Sequence, residues 1–300
     1  MNAALRSLVA AELAEPVDPR VAAVAGAIVA RHGAAAEAVL FYGSCLRQSR
    51  LDGLMLDFYL IVSDYRTAYP SRWLATANRL IPPNVFAFQA EGLMAKYAIL
   101  SRADFHRLAS SATLSVSVWA RFAQPSRLAW ARDEAAVAAV VEAVAGAAPA
   151  LLAAARPVLA DSIAPLDLWR GAFALTYDAE LRAERGNRAE SVVDAMPERY
   201  QAFTAPALAA AGIDLADPVP PAVRKAARRR WRWRRIEGKL LTVARLAKAS
   251  LTFANGIDYL AWKISRHAGT RIELRPWQRR WPILGALTLL PRLLRGGAIR

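Results

Sequence analysis

The pattern of apolar and polar positions predicts two strands near the start of the chain. Residues 38–42 form a short apolar run, typical of a buried strand, and residues 54–62 form a second one. Successive side chains of a strand point to opposite faces, so the second strand carries a larger aliphatic row on one face and an aspartate on the other. The aliphatic row is Leu54, Leu56, Phe58, Leu60 and Val62, and the opposite row is Met55, Asp57, Tyr59 and Ile61.

Helices and a hairpin complete an α/β pattern over the first 130 residues. Residues 21–31 and 73–80 have helical composition, and the second run is stopped by two consecutive prolines. Residues 85–90 and 93–101 are strand-like and flank a Glu-Gly turn, which predicts a hairpin. We therefore expect an α/β fold with a mixed sheet in residues 1–130.

The rest of the chain has mainly helical patterns. The segment from residue 133 to residue 208 predicts a helical domain over residues 131–222, for which a winged-helix arrangement is one option. Three prolines in residues 216–222 predict a linker at its end. Residues 223–300 form a basic, amphipathic C-terminal region with apolar residues at roughly helical spacing.

The charge balance narrows the classes of partner. The 300 residues contain 40 Lys and Arg against 25 Asp and Glu, and this net charge of +15 attracts nucleic acid, nucleotides or an acidic lipid surface. The single cysteine, Cys45, cannot form an intrachain disulfide and favours a reducing compartment. We find no secretory signal and no uninterrupted apolar run of about 18 residues that would span a bilayer. The expected location is the cytoplasm, with peripheral contact to the inner face of a membrane.

Residues 39–62 combine a turn and an acid that suit phosphate chemistry. Gly43-Ser44 directly follows the first strand, where backbone N–H groups and a hydroxyl can approach a phosphate closely. Asp57 lies in an apolar strand, where an ionised carboxylate needs a counterion, hydrogen bonds or a metal. Together they predict a metal-dependent site for nucleotide phosphates. The alternative is an aspartate paired with an arginine beside a turn without function, and we interpret Cys45 as a small turn residue in preference to a reactive thiol.

A second carboxylate is missing from the position where nucleotidyltransferase palms carry it. In such palms two aspartates two residues apart share one strand face and hold Mg²⁺, which prefers hard oxygen ligands. Here Met55 and Tyr59 flank Asp57 on that face. Asp52, in the connector, and Glu91, at the hairpin turn, are the candidates for a second metal-binding carboxylate.

Several short segments, taken in order, resemble the mitochondrial-type phosphatidate cytidylyltransferases, the peripheral CDP-diacylglycerol synthases of the translocator-maintenance family. FYGSCLRQ followed by GLMLDFYLIV is similar to that family's tyrosine-glycine-serine turn and its strand from methionine to aspartate and phenylalanine. The resemblance continues over residues 38–267 through MAKYAILS, WARFAQPSRL, FALTYDAELRAERGN and ASLTFANGIDYLAWKISRH. The family also lacks the paired aspartate.

The resemblance implies an activity and a role for each matching residue. The implied reaction transfers CMP from CTP to phosphatidate with Mg²⁺ and gives CDP-diacylglycerol and pyrophosphate. The implied nucleotide-binding residues are Tyr42, Gly43, Ser44, Lys96 and Arg121. The implied catalytic residues are Asp57, Ser44 and Lys96, of which Asp57 would bind Mg²⁺. A helical domain closing over the site would contribute Tyr177, Glu180 and Arg182.

Two parts of this assignment have alternatives. Around Arg121 the chain departs from the family, since Ala120 replaces a glycine, Phe122 stands near the arginine-flanking position and Gln124 replaces a lysine. For the three residues of the helical domain, an ordinary helix surface with local ion pairs is an equal alternative.

The run ARRRWRWRR, residues 227–235, predicts a partner surface. Arginine with interleaved tryptophan suits single-stranded nucleic acid and equally suits a membrane interface. A solvated helix face is a further alternative. The tail RPWQRRWPILGALTLLPRLLRG favours the membrane, because basic residues, tryptophan and short apolar runs alternate in it. We expect an anionic lipid surface as the partner and disfavour nucleic acid.

Two other functions stay open on sequence grounds. The same palm would serve a nucleotidyltransferase acting on RNA or protein, with the basic run holding RNA. The missing second carboxylate supports a non-catalytic, basic membrane-binding protein with a degenerate palm. Neither the acceptor nor the nucleotide base is determined by these residues.

Overall fold

The structure, a computed structural model, describes residues 2–47, 51, 53–180, 192–252 and 274–280. In these ranges the strands are β1 (Ala36–Tyr42), β2 (Met55–Val62), β3 (Asn84–Ala90), β4 (Leu93–Ser101) and β5 (Ser126–Ala131). The helices are α1 (Ala3–Ala14), α2 (Pro19–His32), α3 (Ser44–Arg47), α4 (Tyr65–Ala68), α5 (Arg72–Leu80), α6 (Arg102–Leu108), α7 (Trp119–Phe122), α8 (Glu134–Ala145), α9 (Ala147–Ala155), α10 (Pro165–Ala179), α11 (Pro197–Ala211), α12 (Pro221–Thr252) and α13 (Pro276–Arg280).

The five strands form one mixed sheet in the order β3-β4-β2-β1-β5. β2 and β4 are parallel, and the other neighbouring pairs are antiparallel. The predicted α/β class with a mixed sheet is confirmed, and so is the β3–β4 hairpin. The sequence pattern does not indicate β5, because a buried arginine, Arg127, interrupts its apolar positions.

The alternation along β2 divides the sheet into two apolar faces. Leu56, Phe58 and Leu60 pack in one core with residues of α2, α4 and α5. Tyr59 and Ile61 belong to a second core, together with residues of α1 and of helices α6 to α11. Asp57 shares the face of Tyr59, as a period of two predicts.

The second core continues from the sheet into the helices that follow residue 130. Trp169 and Phe173 of α10 pack with Tyr200 of α11, with ring centroids 5.1 to 6.1 Å apart. These helices therefore form a layer on the Asp57 face of the sheet. The division of the chain into separate domains at residues 130 and 222 stays a prediction.

One stretch of the helical layer, Glu134–Val158, is long and apolar enough by length and composition to cross a membrane. An 18-residue segment of this stretch has a mean hydropathy of 2.0, and 61% of that segment is buried inside the protein. The sequence-based expectation concerned uninterrupted apolar runs, and Glu142 interrupts this stretch, so the two criteria differ. Since a buried core helix has the same length and composition, this stretch is weak evidence for a membrane span.

Buried ion pairs fix the N-terminal helix α1 to the rest of the protein. Glu12 and Arg199 of α11 are both buried, and Arg199 Nη2 donates to Glu12 Oε1 at 3.0 Å. Nη1 of the same arginine donates to the carbonyl oxygen of Ala123 at 3.1 Å. Glu15, near the end of α1, pairs with Arg127 but is itself exposed. The first pair thus joins three separate parts of the chain.

The basic run belongs to the continuous 32-residue helix α12, and one side of that helix packs on the protein. Trp231 is buried, and its indole Nε1 donates to the carbonyl oxygen of Ala154 at 2.8 Å. Gly238 lies so close to the end of α10 that a side chain there would clash with the carbonyl oxygen of Ala179. The other side of α12 exposes Trp233, Ile236 and Leu240, at 59%, 45% and 66%.

The amphipathic character predicted for the whole C-terminal region stays a prediction. Helix α12 accounts for the region up to Thr252, and α13 adds five residues. Residues 253–273 and 281–300, which include most of the tail, lie outside the described residues.

Candidate functional site

The pairing of three strands places Tyr42, Asp57 and Lys96 side by side. Tyr42 lies opposite Asp57 in the antiparallel β1–β2 pair, and Asp57 lies opposite Lys96 in the parallel β2–β4 pair. Lys96 Nζ is 3.0 Å from Asp57 Oδ1, and the two side chains are 32% and 18% exposed. The counterion of the strand aspartate is therefore a lysine, and the pair remains accessible to a ligand.

The turn after β1 lies directly against the Asp57 carboxylate. Gly43 has φ +97°, a left-handed conformation that glycine tolerates, and a Cβ there would lie 2.9 Å from Asp57 Oδ2. Ser44 follows as the first residue of α3. The thiol of Cys45 is buried and donates to the carbonyl oxygen of Met55 at 3.4 Å. Burial, and then the Asp57 carboxylate, raise the pKa of the Cys45 thiol, which agrees with its interpretation as a turn residue.

Arg121 of α7 joins this cluster beside β1. Its guanidinium carbon lies 5.0 Å from the centre of the Tyr42 ring. Burial opposes its charge, but four neighbours outweigh burial and raise the pKa of Arg121 above its usual value. Those neighbours are Tyr42, Tyr59, Glu180 and Asp57. Arg121 Nε is buried and makes no hydrogen bond to the residues that the structure describes, so a donor is left over for a bound anion.

The residues predicted in the helical domain have different outcomes. Glu180, the residue after α10, acts electrostatically on Arg121 and so belongs to the cluster. Tyr177 is partly buried and packs against the second core. Arg182 lies outside the described residues, as does Asp52, the first candidate for a second metal-binding carboxylate.

Glu91, the other candidate for a second carboxylate, lies too far from Asp57. It is exposed at the β3–β4 turn. The next residue, Gly92, precedes Lys96 by four positions of an extended strand, which is about 13 Å. Because Lys96 is the residue opposite Asp57, the hairpin carries Glu91 away from the cluster.

The structure adds Arg245 of α12 to the site and shows Lys248 anchoring the same helix beside it, and sequence reasoning assigned neither. Arg245 Nε donates at 2.9 Å to the central carbonyl oxygen of the loop 81–83, and its Nη1 donates to Ser117 Oγ at 3.1 Å. Lys248 Nζ donates to the two other carbonyl oxygens of that loop. Burial, and then Arg245, lower the pKa of Lys248 to about 7. Their spacing of three on a helix indicates a shared face, but nothing local indicates which loop that face meets.

Asp57 fits one part of a magnesium site. Within residues 2–47, 51, 53–180, 192–252 and 274–280, no group of three or more His, Cys, Asp or Glu side chains is placed to hold a metal ion. Mg²⁺ commonly keeps several waters and binds through one or two carboxylates plus substrate phosphates. The accessible Asp57 carboxylate therefore suits Mg²⁺ together with a bound polyphosphate.

The cluster has a positive balance in the part of the chain described. Four cations, Lys96, Arg121, Arg234 and Arg245, face three carboxylates, Asp57, Glu180 and Glu237. Such a balance favours an anionic ligand. Comparison with protein-family models and with curated protein sequences finds no match for this chain.

Proposed function

We propose that the chain is a nucleotidyltransferase that transfers CMP from CTP to phosphatidate, with Mg²⁺ as cofactor. The observation that carries the proposal is the convergence of Gly43, Asp57, Lys96 and Arg121 at one end of the mixed sheet. Nucleotidyl transfer needs a close-fitting turn for phosphate, a hard-oxygen metal ligand and fixed cations. A nucleotidyltransferase palm has this order of elements, in which strand β1 leads through the Gly43-Ser44 turn to its antiparallel neighbour β2. The resemblance of the motifs to mitochondrial-type phosphatidate cytidylyltransferases supplies the choice of CTP and phosphatidate.

In the proposed reaction a phosphate oxygen of phosphatidate attacks the α-phosphorus of CTP. A new P–O bond forms there, the bond to the bridging oxygen breaks, and pyrophosphate leaves with that electron pair. The acceptor phosphate is anionic at neutral pH, so the reaction needs no strong general base. Bound Mg²⁺ would neutralise phosphate charge.

Each side chain of the cluster has a task in this proposal. The backbone and hydroxyl of Gly43-Ser44 bind the triphosphate. Asp57 holds the cofactor, and Lys96, which pairs with Asp57 in the free protein, is close enough to turn to a phosphate oxygen. Arg121 stabilises the charge that develops on the phosphate oxygens.

The outer side of α12 would contact the lipid surface. Its exposed apolar stripe consists of Trp233, Ile236 and Leu240. Exposed Arg229, Arg232 and Lys239 flank the stripe. Apolar and aromatic side chains between cations are typical of a helix that lies in an anionic membrane interface.

The structure bears differently on the two alternative functions. Trp231 and Arg234 of the basic run are buried against the protein, so they are not available to stack with or bind RNA. A non-catalytic membrane-binding protein is favoured by one observation, the ion pair that already satisfies Asp57 through Lys96. Activity decides between this alternative and the proposal.

The proposal is tested with phosphatidate vesicles, Mg²⁺ and CTP radiolabelled at the α-phosphate. We expect label in the lipid phase, and an about 1,000-fold lower rate for Asp57→Asn, because the metal ligand is lost. Asp167→Asn is the matched control, since Asp167 forms an exposed surface pair with Arg170. Folded wild-type protein that transfers no label, or Asp57→Asn with wild-type activity, would refute the proposal.

A further inference from the structure

Arg245 reaches the site from α12, an element outside the sheet and its turns. Its Nη1 donates to Ser117 Oγ at 3.1 Å, and Ser117 lies two residues before α7, the helix that carries Arg121. Its Nε donates to the carbonyl oxygen of Pro82 at 2.9 Å. Bonds to two separate loops therefore fix the guanidinium. Its Nη2 makes no hydrogen bond to any residue in the described ranges, so a donor is left for a ligand.

The positive charges of Arg245 and Arg121 repel each other, and the Glu180 carboxylate attracts both. Burial lowers the pKa of Arg245, and the nearby charge of Arg121 lowers it further. The Glu237 carboxylate also attracts Arg245, but its negative charge is shared with Arg234. Neighbouring guanidiniums removed from water are unfavourable unless an anion compensates them. Among the described residues, these three arginines and Lys96 face three carboxylates, Asp57, Glu180 and Glu237, so one positive charge is left for an anion to compensate.

We propose that Arg121 and Arg245 together bind the phosphate monoester of the acceptor, so that α12 forms one wall of the acceptor subsite. This rests on the proposed nucleotidyl transfer and adds the residues that bind the acceptor phosphate. A guanidinium donates two parallel hydrogen bonds to phosphate oxygens, which suits a dianionic monoester. Lys96 and the Gly43-Ser44 turn remain for the triphosphate.

The position of Arg245 on α12 fits an acceptor held in a lipid surface. Leu240, at the end of the exposed apolar stripe, precedes Arg245 by five residues, a rise of about 7.5 Å on a helix about 10 Å across. The two residues lie on different sides of the helix. The phosphate of a lipid at the stripe therefore has a path of about one helix diameter to Arg245.

Gly238 sets the approach that brings α12 to the site. Its Cα faces the carbonyl oxygen of Ala179, and the following residue is Glu180. The same helix contact therefore positions Glu180, directly after α10, and Arg245, two turns further along α12. A larger residue at position 238 would move Arg245 away from Arg121.

The test compares Arg245→Gln and Arg245→Lys with a matched variant, Lys248→Met. Lys248 lies one turn further and donates to the same loop as Arg245, so Lys248→Met reports the loss of loop anchoring alone. For each variant we would measure KM for dihexanoyl phosphatidate, Kd for Mg·CTP by calorimetry, and thermal unfolding. Arg245→Gln should raise KM about tenfold with Mg·CTP affinity within about twofold of wild type, and Arg245→Lys should be intermediate.

Three outcomes would overturn this assignment. An unchanged KM in Arg245→Gln excludes Arg245 from acceptor binding. Equal weakening of Mg·CTP and phosphatidate assigns it to the triphosphate. A Lys248→Met variant with the same rise in KM shows that loop anchoring is the cause.

Glycerol 3-phosphate as a competitor separates the two sources of a phosphate monoester. Inhibition by glycerol 3-phosphate that disappears in Arg245→Gln supports recognition of the phosphate alone. Absence of inhibition by glycerol 3-phosphate, together with a raised KM for dihexanoyl phosphatidate in Arg245→Gln, supports recognition of the lipid.

Failure of the proposed function is distinguishable from failure of this assignment. If wild-type protein binds no Mg·CTP, nucleotidyl transfer is refuted. Direct calorimetric binding of dihexanoyl phosphatidate to wild type and Arg245→Gln then still decides the role of Arg245. Binding about tenfold weaker in the variant supports the subsite, and equal binding overturns it.

Discussion

Replacing Gly43 with alanine tests whether the turn and the Asp57 carboxylate work as one unit. The added Cβ would lie 2.9 Å from Asp57 Oδ2. That distance is roughly 0.6 Å short of an ordinary non-bonded contact, so the carboxylate or the turn must move. Because a misplacement of about 1 Å costs about 100-fold in rate, a shift of this size predicts about tenfold slower transfer.

The backbone contributes a separate, smaller effect. Gly43 has φ +97°, and a residue with a Cβ is strained there by about 1–2 kcal/mol. Gly92, at the β3–β4 turn, also has positive φ, +69°, but a Cβ there would meet nothing within 4 Å. Gly92→Ala is therefore the matched control, since it adds similar strain without the contact.

The assay is unfolding in urea together with Mg·CTP calorimetry and the rate of transfer to phosphatidate. Both alanine variants should lose about 1–2 kcal/mol of unfolding free energy. Only Gly43→Ala should also lose nucleotide affinity and transfer rate. If the two variants bind Mg·CTP equally well and transfer at equal rates, the turn does not act with Asp57 and the reasoning is refuted.

Three further predictions concern stability and membrane contact. Glu12→Ala should lower the unfolding free energy by about 3 kcal/mol, because it leaves buried Arg199 without its carboxylate partner. Arg6→Ala, whose pair with Glu142 is much more exposed, should lower it by less than about 1 kcal/mol, and urea unfolding compares the two variants. Lys248 has a folded pKa of about 7, below its unfolded value, so the unfolded state binds more protons above pH 7. Wild-type stability should accordingly rise relative to Lys248→Met between pH 7 and about pH 10, and a constant difference across that range contradicts the assigned pKa. The double variant Trp233→Ser, Leu240→Ser should bind anionic vesicles about tenfold more weakly in a sedimentation assay, and unchanged binding would remove α12 as the contact surface.

The parts of the site that depend on local patterns could be predicted from the sequence. The alternation of β2 places Asp57 on the face away from Leu56 and Phe58, and the structure has it there. The strand–glycine–serine order likewise puts Gly43 at the end of a buried strand. Both features follow from period two and from glycine's conformational freedom, which need no knowledge of the rest of the fold.

The parts that depend on which elements become neighbours could not be predicted. The Lys96–Asp57 pair requires a parallel β2–β4 register, and a shift of one residue would send Lys96 to the other face. Arg245 lies more than 100 residues beyond β5 in the chain and is positioned by the contact at Gly238. No spacing in the sequence specifies that contact, because it depends on how α12 packs against α10.

Helix α12 shows why the net charge alone is ambiguous about function. Its helical period turns Arg234, Arg245 and Lys248 towards the protein and leaves Arg229 and Arg232 exposed beside Trp233. Cations of one basic helix are thus divided between the side that packs on the protein and the exposed side. Because the two sets lie on opposite sides of one rigid element, changes to them should separate. A variant of the outer stripe should lose vesicle binding and keep the wild-type KM for soluble phosphatidate. Arg245→Gln should keep vesicle binding and have a raised KM.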